Sequence, residues 1–210
     1  MTDRTAELNE IAEQVRVCTR CILYKTATHA VPGEGPANAE IMMIGEGPGF
    51  HEDQQGRPFV GASGKFLDEL LAHINLKRSD IFITNVVKHR PPNNRDPYPE
   101  EIEACRPWLD QQIALIQPKV IVTISRFAMA RWFPNEKISA VHGKAKRFGN
   151  FMVVPMFHPA AALHNQNLKP VLIEDFKKLP KYIQDAKNAS DASAEAPKKK
   201  DPPAEQLKMF

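Results

Sequence analysis

Long apolar runs are missing from this 210-residue chain: none approaches the ~18 consecutive residues that a membrane-spanning helix needs. Residues 1–13 are polar and acidic and lack both a basic n-region and an apolar h-region. No secretory signal is therefore expected, and the cytoplasm is the expected compartment. Cysteine is scarce. Three cysteines in such a chain argue against a disulfide framework and leave metal binding, catalysis or simple burial. A strong charge of one sign is also absent. The formal net charge is +3 and the pI is ≈ 8.7, too mild to announce a nucleic-acid partner by itself. Residues 187–210 hold five lysines against four acids, so any surface for an anionic polymer has to be local. Local basic clusters do occur: Lys77-Arg78, then Lys88, Arg90 and Arg95, then Lys144, Lys146 and Arg147. Each also reads as an ordinary solvated loop.

What is present is a globular composition, 42% hydrophobic and 25% charged, sufficient for one α/β domain and a tail. Leu8, Ile11 and Val15 fall at helical spacing within residues 1–17. Short apolar runs at 41–44, 81–87, 120–124 and 151–157 predict four strands, and helices are predicted at 63–74, 100–116, 127–133 and 170–183. Between 90 and 99 four prolines predict an irregular loop. Strand and helix alternate, which predicts a mostly parallel four-stranded sheet covered by helices on both faces. From residue 186 to 205, Ala, Ser, Lys, Pro and acids replace any apolar period, so a disordered linker is expected to follow a domain spanning 1–185.

Chemistry-bearing residues gather at strand ends. The loop Gly45-Glu46-Gly47-Pro48-Gly49, continued by Gly56-Arg57-Pro58-Phe59-Val60-Gly61, follows the first strand and precedes a helix, where open α/β sheets bind ligands. It lacks the third glycine of a dinucleotide loop, and Gly64-Lys65 lacks the rest of a P-loop. Asn85 closes the second strand and can aim an amide, donor and acceptor together, into a pocket. His158-Pro159 closes the last strand. Cys18 and Cys21, with His89 and Cys105 far downstream, supply three thiols and an imidazole. Such a set can hold zinc or an iron–sulfur cluster, and spacing alone favours zinc.

Taken together, Gly45-Glu-Gly-Pro-Gly, Gly56-Arg-Pro-Phe-Val-Gly, Thr84-Asn-Val-Val-Lys, Arg90-Pro-Pro-Asn-Asn-Arg-Asp-Pro and His158-Pro-Ala-Ala-Ala-Leu resemble the family 4, iron–sulfur uracil-DNA glycosylases of bacterial type, over about residues 8–183. The resemblance implies a three-layer α/β/α fold. It also implies an enzyme that flips uracil from single- or double-stranded DNA and hydrolyses the N-glycosidic bond. By that likeness Phe59 stacks on uracil, Asn85 reads its O4 and N3–H edge, and His158 meets O2. Gly47 offers its N–H to the same pocket. Glu46 orders water and Glu52 crowds C5, with the reverse assignment open. Leu163 enters the vacated stack. Independently of the likeness, the local basic cluster of Lys144, Lys146 and Arg147 is expected to contact the DNA.

The family usually carries cysteine where this chain has His89, so the implied ligands of a [4Fe-4S] cluster are Cys18, Cys21, His89 and Cys105. Covalent, DNA-trapping relatives share the stretch Val87-Lys88-His89. They carry a basic insertion that the 90–99 loop lacks, so turnover is expected. The chain ends Gln206-Leu207-Lys208-Met209-Phe210, which resembles the sliding-clamp-binding pentapeptide, with Gln206, Leu207, Met209 and Phe210 as anchors. A monomer without a membrane partner is expected. Rival readings are a non-catalytic metal-bearing DNA-binding module and a hydrolase of free nucleosides.

Overall fold

A computed structural model of the chain describes residues 3–195. Five strands form one sheet: β1 (Ile41–Gly45), β2 (Phe82–Asn85), β3 (Val120–Thr123), β4 (Lys146–Phe148) and β5 (Phe151–Pro155), in the order β2-β1-β3-β5-β4. The first three and β5 run parallel; β4 pairs antiparallel with β5 at the edge. The helices are α1 (Arg4–Arg16), α2 (Phe50–Gln55), α3 (Ala62–Ala72), α4 (Pro99–Ile116), α5 (Arg126–Ala130), α6 (Ile138–Val141), α7 (Pro159–His164), α8 (Leu168–Lys177) and α9 (Leu179–Glu195). None is long and apolar enough to cross a membrane.

The three-layer arrangement follows from the strand period of two. Met42 and Ile44 of β1 face one way with Ile121 and Val153, onto Leu8, Val15, Trp108 and Leu109 of α1 and α4. Ile41 and Met43 face the other way with Val120, Val122 and Val154, onto Phe66, Leu70, Leu172 and Phe176 of α3 and α8. Both faces are covered, so β1, β2 and β3 are buried along their whole length; β1 reads in sequence as an apolar run, and β2 and β3 as apolar starts that end on the buried polar residues Thr84, Asn85 and Thr123.

Three expectations need correction. The sheet has five strands because Lys146-Arg147-Phe148 pairs at the edge. A short charged strand, useful against edge-to-edge association, leaves no apolar signature. The helix expected over 170–183 is two helices, α8 and α9, that meet at Lys178, where Pro180 has no N–H to continue the ladder. The disorder expected from 186 does not begin there. Ala186 is fully buried and α9 runs on to Glu195. Four alanines with Lys187 and Glu195 supply the helix propensity of residues 186–195, which offsets the weaker Asn188, Ser190, Asp191 and Ser193. The rest of the expected linker and Gln206, Leu207, Met209 and Phe210 lie outside the described residues.

The parallel strands end together at Gly45, Asn85, Thr123 and Pro155. In the order β2-β1-β3-β5-β4 the connection leaving β1 runs to β2 and the one leaving β3 runs the other way, towards β4 and β5, which opens a crevice between the carboxyl ends of β1 and β3.

Candidate active site

Asn85 ends β2 in register with Gly45 at the end of β1. A Cβ on Gly45 would stand 2.3 Å from Asn85 Oδ1 and 3.1 Å from the Phe59 ring. Glycine is what lets the amide and the aromatic ring meet over the strand end. Asn85 is only 2% exposed, and its Oδ1 has no hydrogen-bond partner. Leaving a buried acceptor unpaired costs about 1–3 kcal/mol, so this oxygen is set for a donor that arrives with a ligand.

Phe59 is held in an unusual backbone conformation, φ 53°, which for a non-glycine residue costs of order 1–3 kcal/mol. Neighbours fix it there. Arg78 Nη1 donates to the Phe59 carbonyl at 2.9 Å, and its other guanidinium nitrogen donates to Pro58 O. Glu52 Oε1 accepts from the N–H groups of Val60 at 2.9 Å and Gly61 at 3.0 Å. Gly64 leaves room: a Cβ there would fall 1.7 Å from the Phe59 carbonyl oxygen. This binds Glu52 to the loop that carries Phe59.

His158 caps α7 with its side chain. Its Nδ1 accepts from the Ala160 N–H at 3.0 Å, which assigns the proton of a neutral ring to Nε2. Burial pushes the imidazole pKa down to about 4, against the opposing charge of Glu52. The ring lies near-parallel to Phe59, centroids 5.6 Å apart and planes 24° apart. Asn85 at the end of β2 and His158 just beyond β5 therefore meet around the ring of Phe59, which the loop between α2 and α3 brings over the crevice at the end of β1. Glu46 is half-buried beside them. Burial and the neighbouring charge of Asp96 raise its carboxyl above the usual range, with Arg126 opposing. Its carbonyl accepts from Val87 N at 3.0 Å, which extends the ladder past the strand. Gly47 faces Val87, whose Cγ2 would lie 2.8 Å from a Cβ there.

Cys18, Cys21 and Cys105 are free thiols around the start of the chain and α4. Trp108 Nε1 donates to Cys18 Sγ at 3.3 Å and the Lys88 backbone N–H to Cys105 Sγ at 3.3 Å. Cys21 accepts from the Cys105 thiol, which lowers Cys21 to about 7 and raises Cys105. His89 is buried, and burial holds its imidazole below the ordinary value. With Cys18 it lines a cleft of about 530 Å³. N–H groups aimed at sulfur, thiols in contact and a neutral histidine are the chemistry a thiolate-rich metal site asks for. Among the described residues, no three His, Cys, Asp or Glu side chains are gathered closely enough for a single ion.

The basic clusters divide. Lys88 is fully buried, so it is not a DNA contact: its Nζ donates to Thr84 Oγ1 at 2.6 Å, Gln112 Oε1 at 2.8 Å and Asn85 O at 2.9 Å, and burial pushes its pKa down to about 7. Arg78 serves the Phe59 loop, and Arg95 is bound at both ends to the Glu101 carboxylate, at 2.9 and 2.6 Å. Arg90 has no carboxylate partner among the described residues, and its Nε donates to Asn94 Oδ1. Lys144 and Lys146 are exposed. Arg147 pairs across from Met152, at the opposite end of β5 from His158, and donates to Asp185 O at 3.1 Å, so it does not join the cavity edge. Leu163 is 37% exposed on α7. Sequence reasoning missed the structural roles of Arg78, Gly64 and Lys88. The one available signal was a lysine placed directly after an apolar strand.

A family profile described as the uracil DNA glycosylase superfamily matches residues 32–187. The chain is 50% identical over 182 residues to a type-4 uracil-DNA glycosylase of Sulfurisphaera tokodaii, covering 82% of this chain and 83% of that one. It is 48% identical over 186 residues to the type-4 enzyme of Saccharolobus solfataricus, covering 84% and 86%. It is 42% identical over 184 residues to that of Thermotoga maritima, covering 85% and 96%. The fold and the strand-end cavity define a member of the uracil-DNA glycosylase superfamily. Within it, the chain belongs to the type-4 uracil-DNA glycosylases.

Proposed function

We propose that the chain removes uracil from DNA by hydrolysing its N-glycosidic bond, and that the cavity of Asn85, Phe59 and His158 is where it does so. The observation that carries the residue assignment is the orphaned, buried Oδ1 of Asn85 beside the Phe59 ring. In this reading Oδ1 accepts from uracil N3–H and the amide nitrogen donates to O4. Cytosine offers the reverse pattern and would leave both groups unpaired.

Uracil must leave the stack first, at a cost of a few kcal/mol that stacking on Phe59 offsets by ~1–3 kcal/mol. As the bond breaks, negative charge develops on uracil. In this reading the Nε2–H of His158, on a ring kept neutral by burial, donates to uracil O2. Fixed donors of this kind are worth ~2.7–4 kcal/mol each. Glu46 orders and deprotonates the water that attacks the sugar; Glu52 keeps the Phe59 loop in shape. The product is an abasic site. The Lys88 amine, next to Asn85 in the fold, is buried in its own hydrogen bonds and is not free to form a Schiff base. Strand cleavage is not expected. Turnover is favoured over covalent capture because the short 90–99 loop supplies no histidine.

Cys18, Cys21, His89 and Cys105 would hold a [4Fe-4S] cluster, whose cubane spreads its ligands farther apart than one tetrahedral ion does. Zinc is the lesser alternative. A cluster there would cross-link the N-terminal turn, the segment after β2 and α4, and would act on no base. The three free thiols also suit a reducing compartment, and we place the enzyme in the cytoplasm. The terminal pentapeptide, by its likeness to clamp-binding sequences, would tether the enzyme to a sliding clamp. A pull-down in which removal of residues 206–210 leaves clamp capture intact would discard that. The main reading is tested with an oligonucleotide holding one uracil, followed by alkali: one cut at the uracil position is expected. An uncut strand rejects it.

A further inference from the structure

A guanidinium within about 6 Å of an aromatic face is attracted to it, and an exposed pair of this kind offers a flat surface with positive charge beside it. Phe50 is 53% exposed, opens α2 directly after the loop that carries Glu46 and Gly47, and has the Arg90 guanidinium 5.2 Å from its ring centroid. Arg90 comes from the other wall of the same crevice, five residues beyond Asn85. It is held by Asn94, Nε to Oδ1 at 2.8 Å, and no carboxylate pairs with it among the described residues. The two walls touch here: Pro91 Cδ would lie 3.6 Å from a Cβ on Gly47. Tyr98 and Arg95 make a similar pair 3.8 Å apart, but Glu101 offsets that charge and ties the guanidinium down.

We propose that Phe50 and Arg90 form a platform that takes an unpaired nucleotide next to the uracil, with base against ring or guanidinium plane and phosphate against the free charge. The occupant is single-stranded DNA. Three features point to it: an exposed π-face, an unneutralised guanidinium beside it, and position on the rim of a cavity whose substrate is part of a polyanion. Such pairing of aromatic and cation is how proteins hold unstacked bases without reading their identity. In a duplex the neighbouring bases are stacked and paired, so the platform favours single-stranded substrate. The inference rests on the reading that the cavity takes uracil from DNA.

The test pairs protein variants with altered DNA. Wild type, Phe50→Ala, Phe50→Trp and Arg90→Gln are each measured on single-stranded oligonucleotides with one uracil. The nucleotide on either side is intact or replaced by a base-less tetrahydrofuran residue. Loss of the platform-bound base should weaken wild-type binding about 5- to 150-fold on one side of the uracil only. Phe50→Ala should weaken binding of intact DNA by a similar factor and be indifferent to the missing base, and Phe50→Trp should restore sensitivity. Arg90→Gln should flatten the slope of log Kd against log salt by about 0.7, one single-strand phosphate contact. If Phe50→Ala keeps the full wild-type sensitivity to the missing base, or wild type has none, the platform is refuted while uracil release still stands. Absence of uracil release from every substrate would instead reject the underlying activity.

Discussion

The imidazole of His158 lies 5.6 Å from the ring of Phe59, centroid to centroid, with the planes 24° apart. These residues are 99 positions apart in sequence; Phe59 comes from the loop between α2 and α3, and His158 from just beyond β5. The histidine is kept neutral by burial and its Nδ1 is engaged by the Ala160 N–H.

That protonation state sets a pH dependence. With His158 neutral down to about 4, an acid limb in uracil release should follow Glu46, whose carboxyl sits above its ordinary 4.5. Activity falls as pH drops through the Glu46 value because the base is then protonated. Glu46→Gln should lower kcat strongly and remove that limb. A limb near 6.5 that vanishes in a His158 variant would contradict the assignment. The linkage sign for stability runs the same way: the unfolded histidine, near 6.5, binds a proton that the folded one refuses until about 4. Stability from this group is therefore lost as pH falls from about 6.5 to 4, and His158→Gln should lessen that loss in urea titrations.

Asn85 separates function from stability. Asn85→Ala should reduce kcat/KM for uracil DNA by about 10²-fold, the effect of two unmade hydrogen bonds to a buried edge. Its stability should change less than that of Leu70→Ala, a core truncation worth ~2–5 kcal/mol, because the amide oxygen is unpartnered in the folded state. Thermal melts of both variants beside steady-state kinetics provide the comparison; equal destabilisation would remove the ligand argument.

Arg78 distinguishes a DNA contact from a scaffold. If its guanidinium holds the Phe59 and Pro58 carbonyls, Arg78→Met lowers kcat/KM about tenfold or more and leaves the salt slope of DNA binding unchanged. A slope reduced by one phosphate contact, with the rate intact, would return Arg78 to the surface-charge class.

For the proposed metal site, protein purified without air is expected to be brown, with visible absorbance that Cys21→Ser and Cys105→Ser abolish. His89→Cys should keep the colour and lower the reduction potential, since an anionic thiolate replaces a neutral imidazole. Colourless protein that carries one zinc per chain would overturn the cluster reading.

The sequence by itself determined the strand cores, since β1, β2 and β3 are buried on both faces and burial selects apolar residues such as Ile, Val, Met and Phe at consecutive positions. It also determined which residue types reach the sheet's carboxyl edge, because Asn85 and His158 directly end or follow apolar strands. Tertiary structure decided the rest. Whether a charge faces water or a carbonyl depends on its surroundings, so Lys88 and Arg78 read as surface residues yet hold the backbone of Asn85 and Phe59. The edge strand and the run of α9 to Glu195 were hidden for a related reason. The strand forms by pairing with β5 and carries no apolar pattern, and the helix beyond Ala186 is an alanine-rich stretch whose composition also suits a linker.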